Sequence, residues 1–181
     1  MENLGPFSVV LADPPWRLND QLPGPGRGAG KHYTTMTVDE LCQMKLPPVF
    51  DNSWLFLWRL AAMVPEAYRV CEAWGFTPKT EMVWNKLTPT GKRWCGMGHY
   101  TRASHETLIV ATRGTPIRVK ANVLSTFEGI VGEHSEKPQI LYDKIDLLAG
   151  THTSKVELFA RKQRPGWVCL GDEMPSPTVF G

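Results

Sequence analysis

The chain has 181 residues, 42% of them apolar and 21% charged, with a formal net charge of +2. That balance fits one globular domain with an ordinary core and excludes a disordered tail, a coiled coil and a collagen-like fibre. No apolar run approaches the roughly 20 residues of a membrane-spanning helix, no basic stretch precedes an apolar one at the N-terminus, and the four cysteines never pair as C-x-x-C, so the expectation is a soluble, cytoplasmic protein with reduced thiols, one domain over residues 1–181 and no metal.

In chain order, Phe7 to Leu11 reads as a short buried strand stopped by Pro14 and Pro15. Residues 17–33 contain Pro23, Pro25 and four glycines, the composition of a long mobile loop. Thr37-Val38-Asp39-Glu40 has the form of a capping box that opens a short helix. Trp54 to Trp58 is an unbroken apolar run, as expected of a strand covered on both faces. Helical apolar spacing follows over residues 61–74, with Gly75 where a helix stops. A strand near 80–84 leads into a basic loop over 85–104, and Glu106 to Thr112 reads as a further strand. Ile140, Leu141, Ile145 and Leu148 define one face of a helix closed by Gly150, and Lys155 to Ala160 alternates as a strand does. Strands alternating with helices predict an α/β fold with a mostly parallel sheet, whose ligands bind beyond the carboxyl ends of the strands.

The charge is unevenly spread. Residues 79–120 hold eight cations against two acids, on a chain that is otherwise acidic. A solvated loop region is the plainer meaning of such a cluster. Trp84, Trp94 and Tyr100 lie among these cations, and that interleaving shifts the balance toward nucleic acid, whose bases stack on rings. The contact residues expected are Arg27, Lys31 and Tyr33 in the first loop, and Lys86, Lys92, Arg93, Tyr100, Arg102 and Glu106 in or beside the second. Both loops are expected to be mobile alone and to order on a polymer.

Asp13-Pro14-Pro15-Trp16 follows directly on the first strand. A proline-stiffened turn with a capping Asp is the bland account of any such tripeptide. Prolines donate no N–H, so the segment offers carbonyl acceptors and one carboxylate on a restricted backbone, beside a flat aromatic. An exocyclic amine whose two hydrogens are accepted by Asp13 and the Pro14 carbonyl is drawn toward a tetrahedral nitrogen with an available lone pair. Trp16 is expected to stack on the ring. That array suits alkylation of an adenine amine, on a base taken out of its stack.

Val9 through Trp16 resembles the signature of the MT-A70 family of S-adenosylmethionine-dependent adenine-N6 methyltransferases. Further segments match in the family's order: Tyr33-Thr34-Thr35-Met36, Trp54 to Trp58, Gly98-His99-Tyr100, His105-Glu106, His134 to Pro138, Glu157 to Arg161, Gly166-Trp167 and Gly171-Asp172-Glu173. The resemblance runs over roughly residues 7 to 173. It implies a Rossmann-like methyltransferase fold with helices on both faces of the sheet and a circularly permuted order, catalytic motif first and cofactor segment last. It also implies that Asp13, Pro14, Pro15 and Trp16 are catalytic and that the cofactor is S-adenosyl-L-methionine. Asp13 would also touch the cofactor's ammonium and Lys137 its carboxylate. Phe159 and Arg161 would line its ribose and adenosine. Asp172 and Glu173 would meet its adenine and hydroxyls, where the family often carries Asn with Gln or Glu.

Lys137 as a surface lysine in a helix's first turn and Phe159 as a core strand residue are the bland alternatives. His105 and His134 are taken as structural, and no G-x-G-x-x-G follows a strand. The partner implied is nucleic acid, DNA ahead of RNA, with a homodimer left open and no membrane. A non-catalytic scaffold subunit of the same fold is the alternative from another class, and the intact D-P-P-W argues against it.

Overall fold

The computed structural model describes residues 4–18, 35–98, 100–132 and 136–171. Arg27, Lys31, Tyr33, His134, Asp172 and Glu173 therefore lie outside the described residues, as does most of the first expected loop. The elements in order are β1 (Phe7–Ala12), α1 (Val38–Gln43), β2 (Val49–Arg59), α2 (Val64–Ala73), β3 (Thr77–Leu87), β4 (His105–Arg113), β5 (Thr126–Ile130), α3 (Gln139–Ala149), β6 (Lys155–Leu158) and β7 (Val168–Leu170). Among the described residues the strands form one seven-stranded sheet in the order β5-β3-β4-β2-β1-β6-β7. The sheet is mostly parallel, and β4 alone of these strands opposes its neighbours, β2 and β3.

Side-chain alternation along the strands sorts the core into two layers. Val10, Leu55, Leu57, Ile109 and Ala111 pack with Leu41 of α1 and with Ala67, Val70 and Cys71 of α2. Val9, Leu11, Phe56, Trp58, Met82, Trp84, Leu108 and Val110 pack on the other side with Leu141, Tyr142 and Ile145 of α3. Helices thus cover both faces, as the alternation of elements predicts. Burial in the apolar layer lifts the Cys71 thiol to about 12, so it stays protonated and inert.

Local signals set the helix ends. Thr37 Oγ1 accepts the Glu40 N–H at 3.2 Å while Glu40 Oε2 accepts the Thr37 N–H at 2.7 Å, closing the expected capping box. Gly75 and Gly150 stand just past α2 and α3 with φ of 79° and 100°, where a side chain would be strained. β5 and β7 are additions to the expected elements. β5 has one buried residue, Phe127, and an internal glycine, and β7 has three residues, so neither carries a periodic signal of its own. No helix among the described residues is long and apolar enough to cross a membrane.

One polar cluster lies under α3. Tyr142 donates its hydroxyl hydrogen to Glu157 Oε1 at 3.0 Å, and the Arg164 guanidinium lies 3.4 Å from the Tyr142 ring centre. Arg164 Nη1 donates to Gln139 Oε1 at 2.6 Å, while its Nε stays 4.0 Å from Glu157 Oε2. Burial raises the Glu157 carboxyl above the ordinary glutamate range, against the opposing pull of Tyr142 and Arg164.

Both the helix cap and the buried carboxyl have measurable consequences. Thr37→Ala should cost about 1 kcal/mol, read as a lower denaturant midpoint with an unchanged slope. Glu157 binds its proton more tightly folded than unfolded, so folding loses stability as pH rises from the ordinary glutamate value through the raised one. Glu157→Gln keeps an acceptor for Tyr142 and removes that loss. Its melting temperature should match or exceed that of the unsubstituted protein at pH 7, and the gain should vanish below the ordinary glutamate value. A lower melting temperature at pH 7 would mean that attraction to Arg164 outweighs burial.

Candidate active site

The carboxyl end of β1 is where the chain's connections part. β1 reaches β2 through α1 on one face, and its other neighbour β6 is entered from α3 on the opposite face. A crevice opens at such a switch of connection, and ligands of open α/β sheets bind there. Asp13 is the first residue beyond this end.

The turn after Asp13 is held rigidly. The Pro14 carbonyl accepts the Trp16 N–H at 2.8 Å, and the Pro15 carbonyl accepts the Met36 N–H at 2.8 Å. Arg17 donates its N–H to the Met36 carbonyl, and its guanidinium holds Thr35 through the hydroxyl at 3.2 Å and the carbonyl at 2.9 Å. Residues 15–17 and 35–36 therefore close the base of the segment between them. The Pro14 carbonyl keeps one lone pair after bonding Trp16.

Trp16 does not present the expected stacking face. Its side chain is 5% exposed within the α1–α2 layer, and its indole N–H donates to the Trp58 carbonyl at 3.0 Å. In this conformation it clamps the turn to the end of β2.

The charged residues of the site continue the apolar rows of the α3 face past the edge of the core. Leu11 leads to Asp13 on β1, Trp84 to Lys86 on β3, and Leu108 back to Glu106 on β4. Because β4 runs backwards, its first residues reach the same edge as the last residues of β2 and β3. Trp58 of β2 stands beside Asp13 and pairs with Leu108 of β4, so Glu106 lies two strands across from Asp13 and two residues farther along, roughly 12 Å between the two positions. Lys137 fills the gap. Its ammonium lies 4.7 Å from the Trp58 ring centre, 2.9 Å from Asp13 Oδ2 and 2.9 Å from Glu106 Oε2. The Lys137 side chain is 9% exposed and that of Asp13 is 40% exposed.

Lys137 arrives there because β5 lets it. Trp84 donates its indole N–H to the Gly129 carbonyl at 2.9 Å, and a Cβ on Gly129 would stand 2.7 Å from Pro138 Cβ. Only a residue without a side chain lets the Lys137-Pro138 turn approach so closely.

Burial works to lower the Lys137 pKa, but the charges of Asp13 and Glu106 overcome it and raise the value above the ordinary lysine range. Burial likewise works to raise Glu106, and Lys137 with Lys86 pulls it below the ordinary glutamate range. Both groups are ionised across the neutral range. Lys86 bonds Glu106 Oε1 and lies 5.0 Å from the Trp84 ring centre. Lys86 and Glu106, both expected among the polymer contacts, hold each other, a pairing that residue spacing could not show.

The other expected contacts spread over the segment after β3. This segment is a hydrogen-bonded ribbon: Thr88 and Lys92 pair across a turn, the Trp94 N–H donates to the Lys86 carbonyl, and the Gly96 N–H donates to the Ala103 carbonyl. Lys92, Arg93 and Arg102 are exposed on it, and Tyr100 is fully exposed. Phe159, just past β6, is half-buried with φ of 61°, a backbone conformation uncommon outside glycine. Arg161 is exposed beyond it.

A cleft of about 460 Å³ opens on the α1–α2 face between Arg17, Leu18, Asp39, Met63, Glu66 and Arg69. Asp13 and Lys137 do not line it. The described residues contain no cluster of His, Cys, Asp and Glu that could hold a metal.

Among known proteins, a model of the MT-A70 family matches residues 7–173. The chain is 32% identical over 180 residues to a probable N(6)-adenosine-methyltransferase MT-A70-like protein of Oryza sativa subsp. japonica, covering 96% of this chain and 24% of that one. It is 31% identical over 177 residues to the human N(6)-adenosine-methyltransferase catalytic subunit METTL3, covering 94% of this chain and 29% of that one. It is 30% identical over 194 residues to the type II methyltransferase M.MunI of Mycoplasma sp, covering 96% of this chain and 80% of that one. The chain thus spans about a quarter of the length of the first two relatives and most of the length of the third. The chain belongs to the MT-A70 family.

Proposed function

We propose that this chain is an S-adenosylmethionine-dependent adenine-N6 methyltransferase acting on nucleic acid, DNA ahead of RNA. The observation that carries this reading is the partly exposed Asp13 carboxylate at the carboxyl end of β1, bonded to the buried Lys137 ammonium, inside the family match.

The residues present suit the cofactor. Asp13 and Lys137 set a carboxylate and an ammonium side by side at one end of the site, the complement of a zwitterionic amino-acid group. An ammonium has three hydrogens, and Lys137 commits two of them to Asp13 and Glu106. The third is available for a carboxylate. Phe159, at its strained turn, offers a ring for the adenosine end, with Arg161 beside it; Asp172 and Glu173 are proposed to complete that end. When bound, the cofactor supplies an electrophilic methyl group.

The chain's own residues prepare the acceptor. Asp13 accepts one hydrogen of the adenine amine, and the second lone pair of the Pro14 carbonyl accepts the other. The amine nitrogen is thereby drawn toward a tetrahedral shape, with its lone pair aimed away from the ring. Pro15 and Trp16 hold the turn still, so little ordering remains to be done at the moment of reaction. The amine grows more acidic as it is alkylated, so its proton can pass to Asp13 or to water without a strong base.

DNA is placed first because the chain covers 80% of the compact type II methyltransferase and only 29% of the human adenosine methyltransferase subunit. RNA is the second reading, favoured by the match of 94% of this chain to the human adenosine methyltransferase subunit. Incubation with tritiated cofactor and single-stranded DNA, duplex DNA or RNA tests both. Label in none of the three would overturn the reading.

Asp13→Ala should abolish methyl transfer and leave cofactor affinity within about tenfold, because its main role is exercised on the reacting amine. Retained activity would remove Asp13 from the mechanism. Neutralising Lys92, Arg93 and Arg102 together should weaken polymer binding and reduce the log–log salt slope by about 0.9 for each phosphate that is no longer neutralised. Cofactor affinity, measured by calorimetry, should not change.

A further inference from the structure

We propose that Lys86 is a positioning residue for the methyl-transfer site, acting on Lys137 and Asp13 through Glu106, and that it is not a phosphate contact. The inference rests on the methyltransferase reading and adds to it a residue remote from the reacting amine.

Four charges alternate along the sheet's carboxyl edge: Lys86 on β3, Glu106 on β4, Lys137 above β2 and Asp13 beyond β1. Each oxygen of Glu106 is committed to a different lysine, Oε1 to Lys86 and Oε2 to Lys137. The Lys86 side chain is 17% exposed, with its ammonium near the Trp84 ring. A phosphate would have to displace Glu106 from it and leave that half-buried carboxylate short of a partner, a costly exchange.

Lys86 decides how Lys137 divides its bonds. With Lys86 in place, Glu106 is neutralised from one side and shares Lys137 with Asp13 on equal terms, at 2.9 Å to each. Without Lys86, the whole charge of Glu106 falls on Lys137 and draws the ammonium toward β4. Asp13 then loses its cation, and the third hydrogen of Lys137 turns away from the site. Lys92, Arg93 and Arg102 stand farther along the ribbon, exposed to solvent, where phosphate contacts belong.

The test compares Lys86→Met, which keeps a stem over Trp84, with Lys86→Arg, which keeps the charge, and with Lys92→Ala. The measurements are cofactor affinity by calorimetry, kcat and KM on a methyl-accepting oligonucleotide, and the salt slope of oligonucleotide binding. Lys86→Met should lower kcat roughly tenfold to a hundredfold, the worth of one charge-assisted hydrogen bond. It should also weaken cofactor binding while leaving oligonucleotide KM and salt slope unchanged. Lys86→Arg should restore most of both losses, and Lys92→Ala should show the reverse pattern. If Lys86→Met lowers the salt slope by about 0.9 with kcat and cofactor affinity intact, Lys86 is a phosphate contact and the proposal is wrong. Should Lys86→Met unfold, Lys86→Gln carries the same comparison, and unchanged kcat and cofactor affinity in that variant overturn the proposal equally. If the unsubstituted protein binds cofactor but modifies no oligonucleotide, the nucleic-acid reading fails. The calorimetric contrast between the Met and Arg variants then still decides the role of Lys86.

Discussion

A buried ammonium must be neutralised where it stands, and the site is arranged around that requirement at Lys137. Leaving water costs a cation more than one distant counter-charge returns. Lys137 recovers the difference with two carboxylates at 2.9 Å and the face of Trp58 beneath it. Each contact constrains a different strand. Asp13 fixes the end of β1, Trp58 the end of β2 and Glu106 the start of β4, so one side chain ties the turn after Asp13 to the middle of the sheet.

The reversed strand is what makes this possible. In a sheet with every strand parallel, Glu106, as the second residue of its strand, would lie at the far edge from Asp13. Because β4 runs against β2 and β3, an early residue of one strand meets late residues of its neighbours. The glycine in β5 completes the arrangement from the opposite side by admitting Pro138, and with it Lys137, close over the sheet. Sheet topology and one missing side chain thus do what no local segment could do alone.

The same division governs which parts are legible in the sequence. β1, β2, β4, both longer helices and the capping box carry their own periodicity or cap residues, and the structure has them close to their expected places. D-P-P-W marks the end of β1 because prolines stop a strand. β5 and β7 escape a sequence reading because an edge strand with one inward residue, or a strand of three, has too few positions to show alternation. The partners of Trp16, Lys86 and Glu106 escape a sequence reading for a shared reason. Charge and aromatic counts describe what a segment carries, whereas the direction of each side chain depends on strand parity and on which strand lies next to it. Trp16 turns inward to Trp58, and the two charged residues turn toward each other.

Two glutamates of the α3 face show how far partners, and not residue type, set the chemistry around Asp13. Burial works to raise the carboxyls of both Glu106 and Glu157. Glu106 meets two ammonium groups and falls below its ordinary range; Glu157 meets a neutral hydroxyl and a guanidinium held at 4.0 Å, and rises above it. Glu157 pairs in register with Leu11, two residues before Asp13, so its charge adds to that of Asp13 on the strand beside it. The site works as one unit because the firmly ionised member stands across β2 from Asp13, where its pull keeps Lys137 stretched between the two.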